Sequence, residues 1–220
     1  MNLAQLRIQG LFLQVVGDPS DAEIQDYLTE DEVAIINSFR METRKRDWAA
    51  SRIAAKLLAI DMGLCKEPRE CAIPSHSERP ALRLPPGVTV PNCSLSHSSG
   101  FGAAVIADGP VGIDLQQITE IHPRMRKYFL NDNERPIADL VSIAHPLVHL
   151  WTAKEAVLKL EQGEGWYRRG RVTLQGETEE GLILGFAREE EKGVVETMQI
   201  DARFILALAA GNAKKVRSET

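Results

Sequence analysis

Cysteine is scarce. The 220 residues contain three, Cys65, Cys71 and Cys93, an odd number with neither the C-x-x-C spacing of a zinc site nor a redox pair. The thiols are expected to be buried. Long hydrophobic runs are missing too, since no stretch approaches the roughly eighteen apolar residues of a membrane span. The residues after Met1 mix polar and apolar types without a charged n-region and apolar h-region, so a cytoplasmic protein with no membrane partner is expected. Positive charge is also short. With 26 Lys and Arg against 31 Asp and Glu, the net charge of −5 argues against a nucleic-acid partner, which needs a basic surface. No glycine-rich Walker cradle occurs, and no period of about twenty to fifty residues repeats.

What is present suits a folded enzyme or binding protein. A hydrophobic fraction of 44% supports either one large domain or two of about 100 residues each. The alternating stretch Leu3 to Val16 predicts an opening strand that ends at Gly17-Asp18-Pro19, and the pattern from Asp31 to Met62 predicts helix that ends at Gly63. Residues 66–92 hold six prolines and predict loop with short strands near Ala81–Leu84 and Val88–Val90. Strands at Ala103–Ala107 and Val111–Leu115, joined by Asp108-Gly109-Pro110, predict a hairpin. Helices are expected at Arg124–Phe129, Glu134–Ile143 and His149–Glu161. Further strands are expected at Arg171–Leu174, Leu182–Ala187, Thr197–Ile200 and Phe204–Ala209. Helix followed by strands occurs twice. The expected fold is therefore α+β, with two similar-sized, pseudo-symmetric α/β subdomains, 1–108 and 109–212, a site between them, and a polar tail at 213–220.

Two short segments roughly forty residues apart carry the chemistry. Val111-Gly112-Ile113-Asp114-Leu115 is an apolar run that delivers one carboxylate. In Trp151-Thr152-Ala153-Lys154-Glu155-Ala156-Val157-Leu158-Lys159, at 100° per residue, Leu150, Ala153, Val157 and Leu160 share one helix face. Thr152, Glu155 and Lys159 lie nearly opposite. Lys154 falls inside the apolar arc, where it must snorkel or find an anion. A carboxylate for a cation and lysines for phosphate oxygens fit metal-assisted chemistry on a diphosphate. Glu155 and Lys159 equally suit a solvated i,i+4 pair worth about 0.2–0.5 kcal/mol. Basic clusters at Arg44-Lys45-Arg46, Arg124 to Lys127, and Arg168, Arg169 and Arg171 read as solvated faces or ligand contacts. Trp166-Tyr167 reads as a strand entering the core. His145 and His149 have the spacing of a zinc pair, but Pro146 intervenes and no third ligand is evident, so helix-start packing accounts for them better.

These segments resemble the surfactin-type 4′-phosphopantetheinyl transferases, whose signature is Gly-hydrophobic-Asp followed some forty residues on by Trp-Ser/Thr-x-Lys-Glu-Ala/Ser-x-x-Lys. Gly112-Ile113-Asp114 matches the first part, and Trp151 to Lys159 matches every fixed position of the second. Weaker matches follow in order over roughly residues 35–209. They are Arg46-Asp47-Trp48 through Ser51-Arg52, Glu78-Arg79-Pro80 for Gly-Lys-Pro, Leu95-Ser96-His97-Ser98 for Ile-Ser-His-Ser, and Lys127-Tyr128-Phe129 followed by Glu134.

The resemblance implies transfer of phosphopantetheine from coenzyme A to a serine of an acyl or peptidyl carrier protein, with magnesium. By the same resemblance, Asp114, Gln116 and Glu155 hold the metal, Glu155 accepts the serine proton, and Lys159 binds phosphates. Arg46, Arg52, Arg79, Ser96, His97, Lys154 and Lys159 grip coenzyme A. Members of the family commonly place an acid where Gln116 stands, and an amide oxygen can reach a metal without supplying charge. A non-catalytic relative that binds coenzyme A or a carrier protein is the alternative.

Overall fold

The computed structural model describes residues 2–8, 11–73, 81–161, 171–179, 181–188 and 191–211. The opening apolar stretch forms two antiparallel strands instead of one, β1 (Asn2–Ile8) and β2 (Leu11–Gly17). Two capped helices follow, α1 (Asp21–Tyr27) and α2 (Glu30–Asn37). In each, the hydroxyl of Ser20 or Thr29 accepts an N–H three residues on, while Glu23 or Glu32 reaches back to the cap N–H. This reciprocal arrangement satisfies two otherwise orphaned donors.

The helical pattern from Asp31 to Met62 is divided. The Ser38 and Phe39 N–H groups bond back to Ile35 and Ile36, and the Ser38 hydroxyl donates to the Ile35 carbonyl at 2.6 Å. These i−3 bonds tighten the last turn and release the chain, which re-enters helix as α3 (Glu42–Asp61). Gly63, at φ 70°, ends α3 with bonds from its own N–H to Ile60 and from Leu64 N–H to Ala59, a left-handed cap that glycine adopts without a Cβ penalty. Beyond it, Arg83 makes a single bridge to Ala72, and the strands predicted near 81–84 and 88–90 do not form. Pro85, Pro86 and Pro91 withhold the donors that a ladder needs.

The hairpin also falls elsewhere. It joins β3 (Asn92–Ser98) to β4 (Phe101–Ala107) through Ser99-Gly100, at φ 50° and 84°, the backbone that a tight two-residue turn demands. The strand β5 (Val111–Gln117) does not pair with β4, whose two edges are already taken by β2 and β3. It crosses to a second sheet and pairs with β9 (Phe204–Gly211). That sheet is completed by β6 (Arg171–Glu177), β7 (Leu182–Arg188) and β8 (Glu191–Ile200). The strand orders are β1-β2-β4-β3 and β5-β9-β8-β7-β6. Between β5 and β6 lie two one-turn helices, α4 (Arg126–Phe129) and α5 (Ile137–Leu140), shorter than the pattern predicts, and then α6 (Pro146–Glu161). Pro146 opens α6 where its missing N–H costs nothing.

The fold is α+β in three apolar layers. α3 covers one face of the first sheet through Ile53, Leu58 and its alanines against Ala104 and Ile106. α6 covers the second sheet through Leu150, Ala153 and Val157 against Ala207 and Ala209. The other faces meet each other, with Leu13, Val105 and Phe101 against Ile113, Leu115 and Phe204. β4 is therefore buried along its whole length, and it reads as an unbroken apolar run.

The halves share two further parts. A Cβ on Gly102 would collide with the α3 backbone at Ala50 and Ser51, and one on Gly112 with the α6 backbone at Ala156 and Leu160. Each helix also carries a fully buried lysine on a glutamate, Lys56 to Glu32 at 2.8 Å and Lys154 to Glu134 at 2.6 Å. No helix among the described residues is long and apolar enough to cross a membrane, and the tail at 213–220 lies outside them.

Candidate active site

The site begins where two sheet edges meet without a backbone ladder. β3 is the last strand of the first sheet and β5 the first of the second. Alternate serines of β3 take the place of main-chain acceptors. The N–H groups of Ile113, Leu115 and Gln117 donate to the hydroxyls of Ser94, Ser96 and Ser98 at 3.1, 3.0 and 3.0 Å. Strand alternation explains the spacing, because every second N–H of β5 points to the same side. The middle serine does more. Ser96 also donates to Asp114 Oδ1 at 2.9 Å.

Asp114 is 6% exposed, and Lys159 Nζ reaches the same Oδ1 at 2.7 Å. The helix can come this close because Gly112 presents no side chain to it. α6 then runs along β5. Lys159 meets Asp114 at one point, and Trp151 shares a cavity of about 440 Å³ with Gln116 at another. Glu155 lies one turn from each, on the same strip of the helix. It is half-buried, unlike a freely solvated i,i+4 pair, and Thr152 on that strip is wholly buried with its hydroxyl on Val148. Ile121, Met125 and Phe129 supply the apolar wall of the cavity, and Trp151 meets Phe129 edge-on at 5.3 Å.

α3 and β3 carry further polar side chains on the Lys159 and Asp114 side of β5. His97 Nδ1 lies 3.8 Å from Asp47, whose other oxygen accepts the Gly100 N–H. Burial, aided by Lys159 and Arg52 and opposed by Asp47, holds the imidazole below its ordinary pKa, so it is largely neutral near pH 7. Arg52 stacks on Trp48 at 3.9 Å and donates to Ser51 at 3.0 Å. Burial lowers its pKa to about 10, which leaves it cationic, and its buried Nε has no hydrogen-bond partner among the described residues. Arg52, Lys159, Asp47 and Asp114 all lie within electrostatic reach of the neutral His97. Arg46 is held apart by Asp21 at 2.7 Å, Glu42 and the Pro19 carbonyl.

Lys154 is placed differently from a ligand contact. Its ammonium is fully buried on Glu134, whose carboxylate also accepts the N–H groups of Asn131 and Val172, each at 2.9 Å. Burial lowers the lysine pKa while Glu134 opposes the shift. Ser96 too is enclosed and engaged with β5. Arg79, Arg168, Arg169, Trp166 and Tyr167 lie outside the described residues. His149 packs at the start of α6, its Nδ1 2.8 Å from Thr197 Oγ1, as helix-start packing requires. Cys65 and Cys71 are buried and Cys93 is half-buried, all free thiols, and burial raises Cys71 and Cys93 to about 12. Such thiols are unreactive.

Two partners escaped the sequence reading. Glu134 was detectable as the acid of Asn131-x-x-Glu134, the spacing of a reciprocal turn cap. The bridging role of Ser94, Ser96 and Ser98 was detectable as a period-two hydroxyl face.

The oxygen donors Asp114, Glu155 and Gln116 suit a hard cation, which takes one or two carboxylates and completes its shell with water and substrate phosphates. Among the described residues no group of three or more His, Cys, Asp or Glu side chains is placed to hold a metal ion by itself.

The segment that carries Asp114, Glu155 and Lys159 falls within a match to a known family. Residues 110–176 match the model of the 4′-phosphopantetheinyl transferase superfamily. The chain is also 28% identical over 120 residues to the 4′-phosphopantetheinyl transferase psf-1 of Bacillus pumilus, a match covering 52% of this chain and 51% of that protein. The chain thus matches about half the length of this curated relative. Both comparisons bear out a resemblance to the 4′-phosphopantetheinyl transferase superfamily, and the family match spans the Gly112-Ile113-Asp114 and Trp151–Lys159 motifs.

Proposed function

We propose that the protein transfers 4′-phosphopantetheine from coenzyme A to a serine of an acyl or peptidyl carrier protein, as a surfactin-type enzyme in the cytoplasm. The observation that carries this reading is the contact of Lys159 with Asp114 at 2.7 Å, which sets Glu155 on the same strip beside β5. The serine oxygen forms a bond to the β-phosphorus, the bond from that phosphorus to the bridging oxygen breaks, and adenosine 3′,5′-bisphosphate leaves. Glu155 accepts the serine proton, directly or through one water. Lys159 turns its ammonium to the diphosphate, and Arg52 and His97 face the nucleotide portion. Asp114, Glu155 and the Gln116 amide oxygen would hold magnesium, which supplies neutralisation of the diphosphate charge. Lys154 acts by fixing α6 to Glu134 and not by touching coenzyme A.

Gln116 brings no charge to the metal. That favours, as a second reading, a relative that binds coenzyme A or a carrier protein without transfer. Mass spectrometry of apo acyl and peptidyl carrier proteins incubated with the protein, coenzyme A and magnesium separates the two. A gain of one phosphopantetheine supports transfer, and coenzyme A binding with no gain on any carrier supports the second reading.

A further inference from the structure

Of the three serines that bridge the sheets, Ser94, Ser96 and Ser98 do one job in common, each accepting a β5 N–H at 3.0–3.1 Å. Among the described residues only Ser96 also touches a carboxylate, donating to Asp114 Oδ1 at 2.9 Å. A hydroxyl has one proton and two lone pairs. The Ser96 proton is committed to Asp114 and one lone pair to Leu115, in a side chain 5% exposed. Lys159 takes the same Oδ1, so Oδ2 has no hydrogen bond among the described residues.

We propose that Ser96 is a positioning residue that holds the Asp114 carboxylate by one oxygen and presents the other to the cation, and that it does not contact the nucleotide. Two donors on one oxygen leave the carboxylate little freedom to rotate. Without Ser96, only the long and half-buried Lys159 would restrain it, and a carboxylate that swings with its lysine is a poorer ligand. Partners that orient a ligand in this way typically account for 10–100-fold in metal affinity. The inference rests on the reading of Asp114 as a metal ligand.

Manganese, as a stand-in for magnesium, is titrated by electron paramagnetic resonance into the protein with saturating coenzyme A. Coenzyme A binding is measured by calorimetry in EDTA, and melting temperatures are recorded for every variant. Ser96→Ala is expected to weaken manganese binding roughly 10–100-fold and leave metal-free coenzyme A affinity unchanged. Ser98→Ala loses an equivalent bridge and should melt lower by a similar amount, with manganese affinity at the wild-type level. Ser96→Thr, which keeps the hydroxyl, should restore the metal affinity. If Ser96→Ala does not fold, Ser96→Cys carries the same expectation, because a thiol is a weak donor. Equal manganese affinity in Ser96→Ala and Ser98→Ala overturns the proposal. Loss of coenzyme A in EDTA on Ser96→Ala also overturns it, by placing the hydroxyl on the nucleotide. A wild type that binds manganese but modifies no carrier protein sinks the transferase reading alone, and the metal titration still decides the role of Ser96.

Discussion

Lys154 and Glu134 pair at 2.6 Å with both side chains shut away from solvent. Breaking such a pair on one side leaves a charge that neither water nor a partner satisfies, typically costing about 3–5 kcal/mol, whereas replacing both members by apolar groups is often neutral. Lys154→Met should therefore destabilise the protein by about that amount in denaturant titrations, and adding Glu134→Leu should recover only part of it, because Asn131 and Val172 then lose their acceptor. A stable Lys154→Met that binds coenzyme A weakly would make the lysine a ligand contact.

Gly112 is where α6 touches β5. Alanine there would drive its Cβ into the Ala156 carbonyl and within 2.6 Å of Leu160 N, so the helix must move and carry Lys159 away from Asp114. Gly112→Ala should cost about 1–3 kcal/mol and lower transfer by more than its loss of stability explains. Gly109→Ala meets nothing within 4 Å and should change stability by no more than about 0.5 kcal/mol. The comparison of melting temperature and rate for the two variants checks both statements.

His149 is neutral in the fold, its pKa depressed to about 4 by burial and by His145. The unfolded chain binds a proton near pH 6.5 that the native protein refuses, so this group's contribution to stability is complete above about pH 6.5 and lost as pH falls towards 4. The loss is expected to reach about 3 kcal/mol, read from urea midpoints between pH 7 and 4. His149→Gln should flatten that dependence, and an unchanged slope would assign it to other groups.

The architecture was legible where one period ruled. Gly63 marked the end of α3, the C-terminal strands fell at their alternating runs, and Gly112, Asp114 and the Trp151–Lys159 segment pointed to one site. The failures have physical causes. The β4–β5 hairpin was inferred from a turn, yet a turn does not tell which sheet takes the next strand once both edges of β4 are occupied. The polar strip of α6 left a solvated pair and a ligand site equally open, because an amphipathic period cannot distinguish water from a polar cleft. Lys154 violated the helix pattern visibly, but its partner stands 20 residues away in a separate turn, and no local signal pairs the two.

The most direct test compares Glu155→Gln with the wild type in a single-turnover assay, with coenzyme A affinity measured alongside. The substitution keeps shape and removes the base, so the account predicts unchanged folding, near-normal coenzyme A binding without metal, and transfer slowed by about 10²–10⁴-fold. A variant that retains more than about a tenth of the wild-type rate would show that Glu155 is the acidic half of a helix pair with Lys159, and that the proton leaves the carrier serine by another route.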